Sequence, residues 1–330
     1  FKETAKFGHK LSLFRGFHHR DANHASATHW VMTGQPNFGA GQTQKWPSYG
    51  SVVSGFHGTN APNGLPTYIK MNSIQHDDSS FMGGKFVGYD ATKEGRKDLQ
   101  LNISDKTFQG RLNYLKLIDE GFTKEGDLLS KQWSDLKGQA VEVIAGEASK
   151  AFKIEGDMEY DKYKGDPLGE DMLTSMRLVE AGSQFVTLNY GGWDMHSGIA
   201  NSLSSRQPTL DTYLSYLIES LTERGLSERV MLVVTSEFAR TPKINTSSGR
   251  DHWPNTGTLM ISCDKYETGR VIGGTDKRGE EAIDKVCGPR DLRWTMFNHL
   301  GLDKSMKWTG LDGRPYHMIE TEAKNVLTEL

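Results

Sequence analysis

The sequence predicts an α/β fold, a mostly parallel central sheet with helices on both faces, and three observations carry that prediction. The first is that "QFVTLNY" (184–190), "PTLDTYLSYLIESLTERG" (208–225) and "RVMLVVTSEF" (229–238) read in succession as strand, helix and strand. That order is a βαβ crossover. The second is the composition of "RVMLVVTSEF", continuously apolar and β-branched, as in a strand covered on both faces. The third is that strand and helix patterns continue on either side of this unit.

Taken in order, "LSLFRGF" (11–17) reads as a short buried strand. The polar loop "HHRDANHASA" leads from it into a helix, "SATHWVMTG", that stops at Gly34. Residues 35–165 are rich in glycine, asparagine and lysine and weakly periodic. They read as a loop-rich insertion within one domain spanning 1–330. Their clearest helix is "KTFQGRLNYLKLIDEGF" (106–122), with Leu112, Leu115 and Ile118 on one face. "DPLGEDMLTSMRLVEAG" (166–182) places acids in its first turn and glycine at its end, the polarity of a helix. In 208–225 the stripe of Leu210, Leu214, Leu217 and Leu221 makes the crossover helix amphipathic. "GTLMISC" (257–263) is a further strand, "RDLRWTMFNHLGL" (290–302) a late helix, and "LDGRPYHMI" (311–319) a turn and terminal strand.

The totals restrict the classes of function. With a net charge of −3 over 330 residues, nothing electrostatic points to nucleic acid or an acidic membrane surface. No apolar run is long enough for a membrane span. The 36 glycines suggest many loops around a modest core. Cys263 and Cys287 lack zinc-type spacing; they read as a disulfide or as two buried thiols, the thiols preferred. The sequence opens at Phe1 with neither methionine nor signal peptide, and reads as part of a processed product.

The chemistry is expected at the carboxyl ends of the strands, which share one edge of such a sheet and bind ligands there. Asp194 and His196 follow one strand in "NYGGWDMHSG", Glu237 ends the next, and His252 lies in "GRDHWPNTG" before another. Carboxylates and imidazoles in that mixture suit zinc, manganese or iron(II) as ligands. Each residue alone fits a plainer role: Asp194 as a turn former, His196 as a loop histidine, Glu237 as a partner of Arg240, His252 as a partner of Asp251 or Trp253. Their shared placement favours the metal. In "HHRDANHASATH" a hydroxyl or imidazole beside a metal would be a nucleophile or base, so His24 and Ser26 are catalytic candidates. Both also fit as helix caps, and His29 fits as packing. Arg20, Arg240 and Arg250 are candidates for holding an oxyanion, or ordinary surface charges. His76 with Asp77 and Asp78 reads as a solvated turn.

The stretches "NHASATHWVMTG", "RLVEAGSQFVTLNYGGWDMHSG", "LTERGLSERVMLVVTSEFARTPKIN" and "GRDHWPNTGTLMI" together resemble an uncharacterised bacterial family, domain of unknown function 1501, related to sulfatases and alkaline phosphatases. The resemblance covers nearly the whole chain. It implies a metal-dependent hydrolase of phosphate or sulfate esters, with carbohydrate esters among the candidates, and a divalent metal: zinc, manganese, iron or calcium. Asp194, His196 and His252 match ligand positions, and His24 falls where relatives carry the nucleophile. Ser236-Glu237-Phe238-Ala239 stands where Ser-Asp-His-Gly is usual. Phe238 therefore removes one ligand of a two-metal site, and Ser26 is the nearest hydroxyl to a nucleophile position without Cys or Thr. The resemblance further implies a first core strand before Phe1 and an export signal, hence a periplasmic or otherwise exported protein. The competing expectation is a catalytically degenerate binding or assembly subunit, homo- or hetero-oligomeric, with Trp46, Tyr49, Tyr68 and Trp133 as a contact surface.

Overall fold

Several helices are set by local signals that the chain carries at their ends. The computed structural model describes residues 1–36, 46–72, 74–92, 103–122 and 147–330, together with Ser134, Lys137, Gly138 and Val141; Trp133 lies outside them. In chain order the first elements are β1 (Ser12–Phe14), α1 (His24–Thr33), α2 (Tyr49–His57), β2 (Tyr68–Met71), β3 (Tyr89–Asp90) and α3 (Asp105–Phe122). Next come α4 (Tyr160–Tyr163), α5 (Pro167–Glu180), β4 (Phe185–Leu188), α6 (Ile199–Glu223), β5 (Leu232–Val234), β6 (Ala239–Arg240) and β7 (His252–Trp253). The chain closes with β8 (Leu259–Ser262), β9 (Arg270–Ile272), β10 (Gly274–Thr275), β11 (Ala282–Asp284), α7 (Pro289–His299), β12 (Lys307–Thr309) and β13 (Pro315–His317).

Capping explains the two helices nearest the sheet ends. Asn23 accepts hydrogen bonds from the backbone N–H of Ala25 and Ser26, and Gly34 ends α1 at φ 73°. There a left-handed residue satisfies a terminal carbonyl. Asp166 caps α5 through Leu168 N–H, with Pro167 at the first helical position.

The chain is α/β, with sheets that are small and mixed. Strands β3, β2 and β4 form an all-parallel sheet, and β5, β8, β1 and β9 form a second. In the second, β8 is antiparallel to both β5 and β1, and only β1–β9 is parallel. The crossover from β4 to β5 thus links two sheets, not two paired strands. That has a consequence for burial: every residue of β4 and of β5 is only half-buried, while β1, β2 and β8 are mostly buried. A strand with one hydrogen-bonded neighbour has less cover than one with two. Both β4 and β5 nevertheless pack on the same two clusters: Phe185 and Val233 on the core of β1, β8, α2 and α7, Leu188 and Leu232 on the core between α5 and α6.

Three further expectations differ from what is observed. The crossover helix begins at Ile199, not at Pro208, and runs through that proline. Interior proline costs about 3 kcal/mol, but the helix start is docked: Gly198 N–H donates to Ser247 and Ile199 N–H to Ser248. Among the described residues, the stripe on α3 is largely open: Leu112 is half-buried, while Leu115 and Ile118 are exposed, as are Tyr114 and Leu117. The 35–165 region supplies sheet as well as loops, since β2 lies between β3 and β4. Cys263 and Cys287 are free, buried thiols.

Candidate metal centre

Four polypeptide segments meet at the carboxyl ends of β4 and β5. The loop after β4 carries Asp194 and His196. The turn after β5 carries Glu237 and Phe238, and the β6–β7 hairpin sets Arg240 directly opposite His252. The first residue of α1 is His24.

Asp194 is the hub. Its Oδ1 lies 2.9 Å from His196 Nε2 and 3.2 Å from His252 Nε2, and its Oδ2 lies 3.2 Å from His24 Nε2. Arg240 Nη2 donates to Oδ1 at 2.5 Å. Partial burial works to raise the Asp194 pKa, but the hydrogen bond and charge of Arg240, helped by His252 and His196, bring it down to about 2. Asp194 is therefore a carboxylate at any ordinary pH.

The other nitrogen of each histidine is committed. His196 Nδ1 meets Asp251 Oδ1 at 2.9 Å, His252 Nδ1 meets the Ala22 carbonyl at 2.7 Å, and His24 Nδ1 meets Glu237 Oε1 at 2.9 Å. Carbonyl and carboxylate oxygens only accept, so these partners favour the tautomer with the ring proton on Nδ1, which leaves Nε2 able to ligate a metal. All three rings turn their Nε2 atoms toward one carboxylate. His196 Nε2 and His252 Nε2 stand 3.0 Å apart. A divalent cation is one partner that such a set of nitrogens around a carboxylate can take. Ligands about 2.1 Å from a zinc ion at the tetrahedral angle are roughly 3.4 Å apart, close to the separations here. His24, Asp194 and His252 also form a group able to hold one ion together.

The expected residues divide clearly. The structure brings together Asp194, His196, His252, His24 and Arg240, and sets Glu237 behind His24. Ser26 does not turn toward them: its hydroxyl donates to Asn23 O at 3.5 Å. Arg250 is used locally, its Nη1 donating to the carbonyls of Thr241 and Pro242. Arg20 is exposed and pairs with none of these groups. His29 is buried and accepts from Trp46 N–H, a packing role. Asp77 is buried and accepts from Tyr68 and Thr187, not a solvated turn residue as its sequence suggests.

Two residues escaped sequence reasoning. Asp251 reads as a neighbour of His252, yet its carboxylate serves His196. His19 is buried and its Nε2 donates to the Glu237 carbonyl, while Asp21 N–H donates to its Nδ1. Phe238, buried, packs its ring 5.1 Å from that of His24 and 4.5 Å from that of His252. It walls one side of the cluster, while Asp194, His196 and His24 remain open to solvent on the other.

A family model described as a protein of unknown function (DUF1501) matches residues 1–330. No curated protein matches the chain. Among the described residues no helix is long and apolar enough to cross a membrane.

Proposed function

The chain belongs to the DUF1501 family of proteins of unknown function, and from the chemistry of its site we propose a divalent-metal-dependent hydrolase of phosphate or sulfate esters. The observation that carries the reading is the convergence of three histidine Nε2 atoms on the Asp194 carboxylate. Three nitrogens and one oxygen suit zinc, manganese or iron(II), and suit calcium poorly, since it prefers oxygen alone. When bound, the metal supplies Lewis acidity toward an ester oxygen and lowers the pKa of a coordinated water.

The chain's own groups do the rest. His24, His252 and Asp194 would hold the ion, with His196 a further candidate ligand beside Asp194. Arg240 keeps Asp194 ionised and adds positive charge beside the place where an ester anion would sit. Phe238 keeps water from one side, while the open side admits substrate. With the Ser26 hydroxyl turned into the helix turn, attack falls to water and not to a side chain. The substrate is an ester of a small molecule or a carbohydrate, and the compartment is periplasmic or otherwise extracytoplasmic, as the resemblance implies. The same reading takes the two sheets as halves of one mostly parallel central sheet, an arrangement supported by the shared packing of β4 and β5.

A second reading, a binding or assembly subunit that keeps the metal but not catalysis, is favoured by one observation: Phe238 occupies the position of a further ligand. One experiment separates the two. Metal per chain is measured by plasma mass spectrometry on protein purified without chelator, beside Asp194→Ala. Both proteins are then assayed on a panel of phosphate and sulfate monoesters. Stoichiometric transition metal and turnover, both lost in the variant, support the hydrolase. Metal without turnover supports the second reading, and no metal in the parent protein defeats both.

A further inference from the structure

Of the three histidines, His196 has the weakest structural reason to point where it does. His24 belongs to a capped helix, and His252 sits on a strand with its Nδ1 on a backbone carbonyl. His196 lies in a loop outside any helix or strand, with about half its side chain exposed. Its outer ring nitrogen, Nδ1, meets Asp251 Oδ1.

Asp251 is itself positioned. Its backbone N–H donates to Thr241 Oγ1 at 3.1 Å, and its carbonyl accepts from Thr241 N–H at 2.9 Å. Asn245 then clamps it. The Asn245 Oδ1 accepts from Ser247 and Gly249 N–H, at 3.0 and 2.9 Å, which fixes the orientation of the amide. Its Nδ2 is thereby aimed at Asp251 Oδ1, 3.1 Å away, and at the His196 carbonyl, 3.0 Å away. One amide thus ties the loop of His196 to the loop of its partner carboxylate. Gly249 lets the two loops approach, for a Cβ there would lie 2.1 Å from the His196 carbonyl carbon.

We propose that Asp251, held by Asn245, is the positioning residue of the site, fixing His196 as the tautomer whose unprotonated Nε2 faces Asp194. The inference rests on the metal reading, and it adds a residue that does not touch the ion. A carboxylate behind a histidine ligand orients the ring and makes it a stronger donor, and loss of such a partner typically weakens metal binding about 10–100-fold. Glu237 stands in the same relation to His24, so the site uses the device twice.

The test compares the parent protein with Asp251→Ala in two measurements. Cobalt(II) affinity is read by competition with a chromophoric chelator, and the tautomer of His196 is read by nitrogen-15 NMR of the ring in metal-free protein. The expected result is cobalt binding weakened about 10–100-fold, with the His196 proton no longer confined to Nδ1 and the melting temperature in chelator little changed. Equal affinity and an unchanged tautomer would overturn the proposal. If the parent binds no cobalt, the metal reading fails, while the NMR arm still decides whether Asp251 sets the tautomer. Should Asp251→Ala not fold, Asp251→Asn keeps the shape and one acceptor oxygen, and the same direction of change is required of it.

Discussion

Replacing His252 by alanine should abolish metal-dependent stabilisation while costing the metal-free protein little, and the size of both effects follows from its contacts. The ring gives one hydrogen bond, to Ala22 O, and packs on Phe238. These contribute about 1 kcal/mol each. The metal-free loss therefore belongs at or below about 2 kcal/mol. The metal effect is larger. A ligand at a hundred times its Kd stabilises the folded state by about 2.7 kcal/mol. At an unfolding entropy of about 2.1 cal/mol/K per residue, the 330 residues convert that to a rise of roughly 4 °C. Melting curves of parent and His252→Ala, each with excess zinc and with chelator, read all four states. The parent should gain about 4 °C with zinc; the variant should gain almost nothing and start no more than roughly 3 °C lower in chelator. A variant that keeps the full zinc-dependent gain would refute the place of His252 among the ligands.

Three other outcomes are expected. Ser26→Ala should hydrolyse esters within about twofold of the parent, since the hydroxyl only returns to the Asn23 carbonyl and such first-turn contacts are worth about 1 kcal/mol or less of stability; a kinetic collapse with intact folding would restore Ser26 as nucleophile. Gly249→Ala should weaken zinc binding by an order of magnitude or so, in the range of lost supporting contacts, because the new Cβ collides with the backbone of His196 and not with a yielding side chain; isothermal titration reads it, and unchanged affinity would show that the loop gives way freely. His19 sets an acid limit. Burial lowers its pKa despite the opposing hydrogen bond to the Glu237 carbonyl, so the unfolded chain takes up its proton first. Its contribution is complete above about pH 6.5 and declines as pH falls from there toward the folded pKa. His19→Gln should flatten that limb in urea titrations across acidic pH, and an identical slope would assign the acid sensitivity elsewhere.

What the sequence discloses is what short-range chemistry decides. Asn23 and Gly34 bracket α1, Asp166 and Pro167 start α5, and these signals act within one helical turn. Asp194, His196 and His252 were legible because strand ends in an α/β chain share an edge, whatever the order of the strands. The partnership of β4 and β5 was not, because a βαβ pattern specifies handedness and direction but not that its two strands are neighbours. Pro208 misplaced the start of α6 for a similar reason: the anchoring carbonyls come from Ser247 and Ser248, far along the chain. Asp251 was hidden by proximity. Next to His252 in sequence, it invites a pairing with that residue, whereas its carboxylate meets His196, a residue far away in sequence.

The site is a joint product of loop and sheet. On β7 His252 faces the cluster, and Asp251, one residue earlier, reaches around to the outer nitrogen of His196. The N-terminal loop is fastened at the same place, by His19 to the Glu237 carbonyl, by Ala22 to His252 and by His24 to Glu237 and Asp194. Every one of these bonds either presents a ligand or holds the partner of one. A cation at the centre would therefore do two things with one set of contacts: complete a hydrolytic centre and fix α1 against the ends of β4 and β5. Removing metal should loosen the loop from His18 to His24 before it disturbs the packed core, and so the loss of activity and the loss of local order should follow the same metal titration.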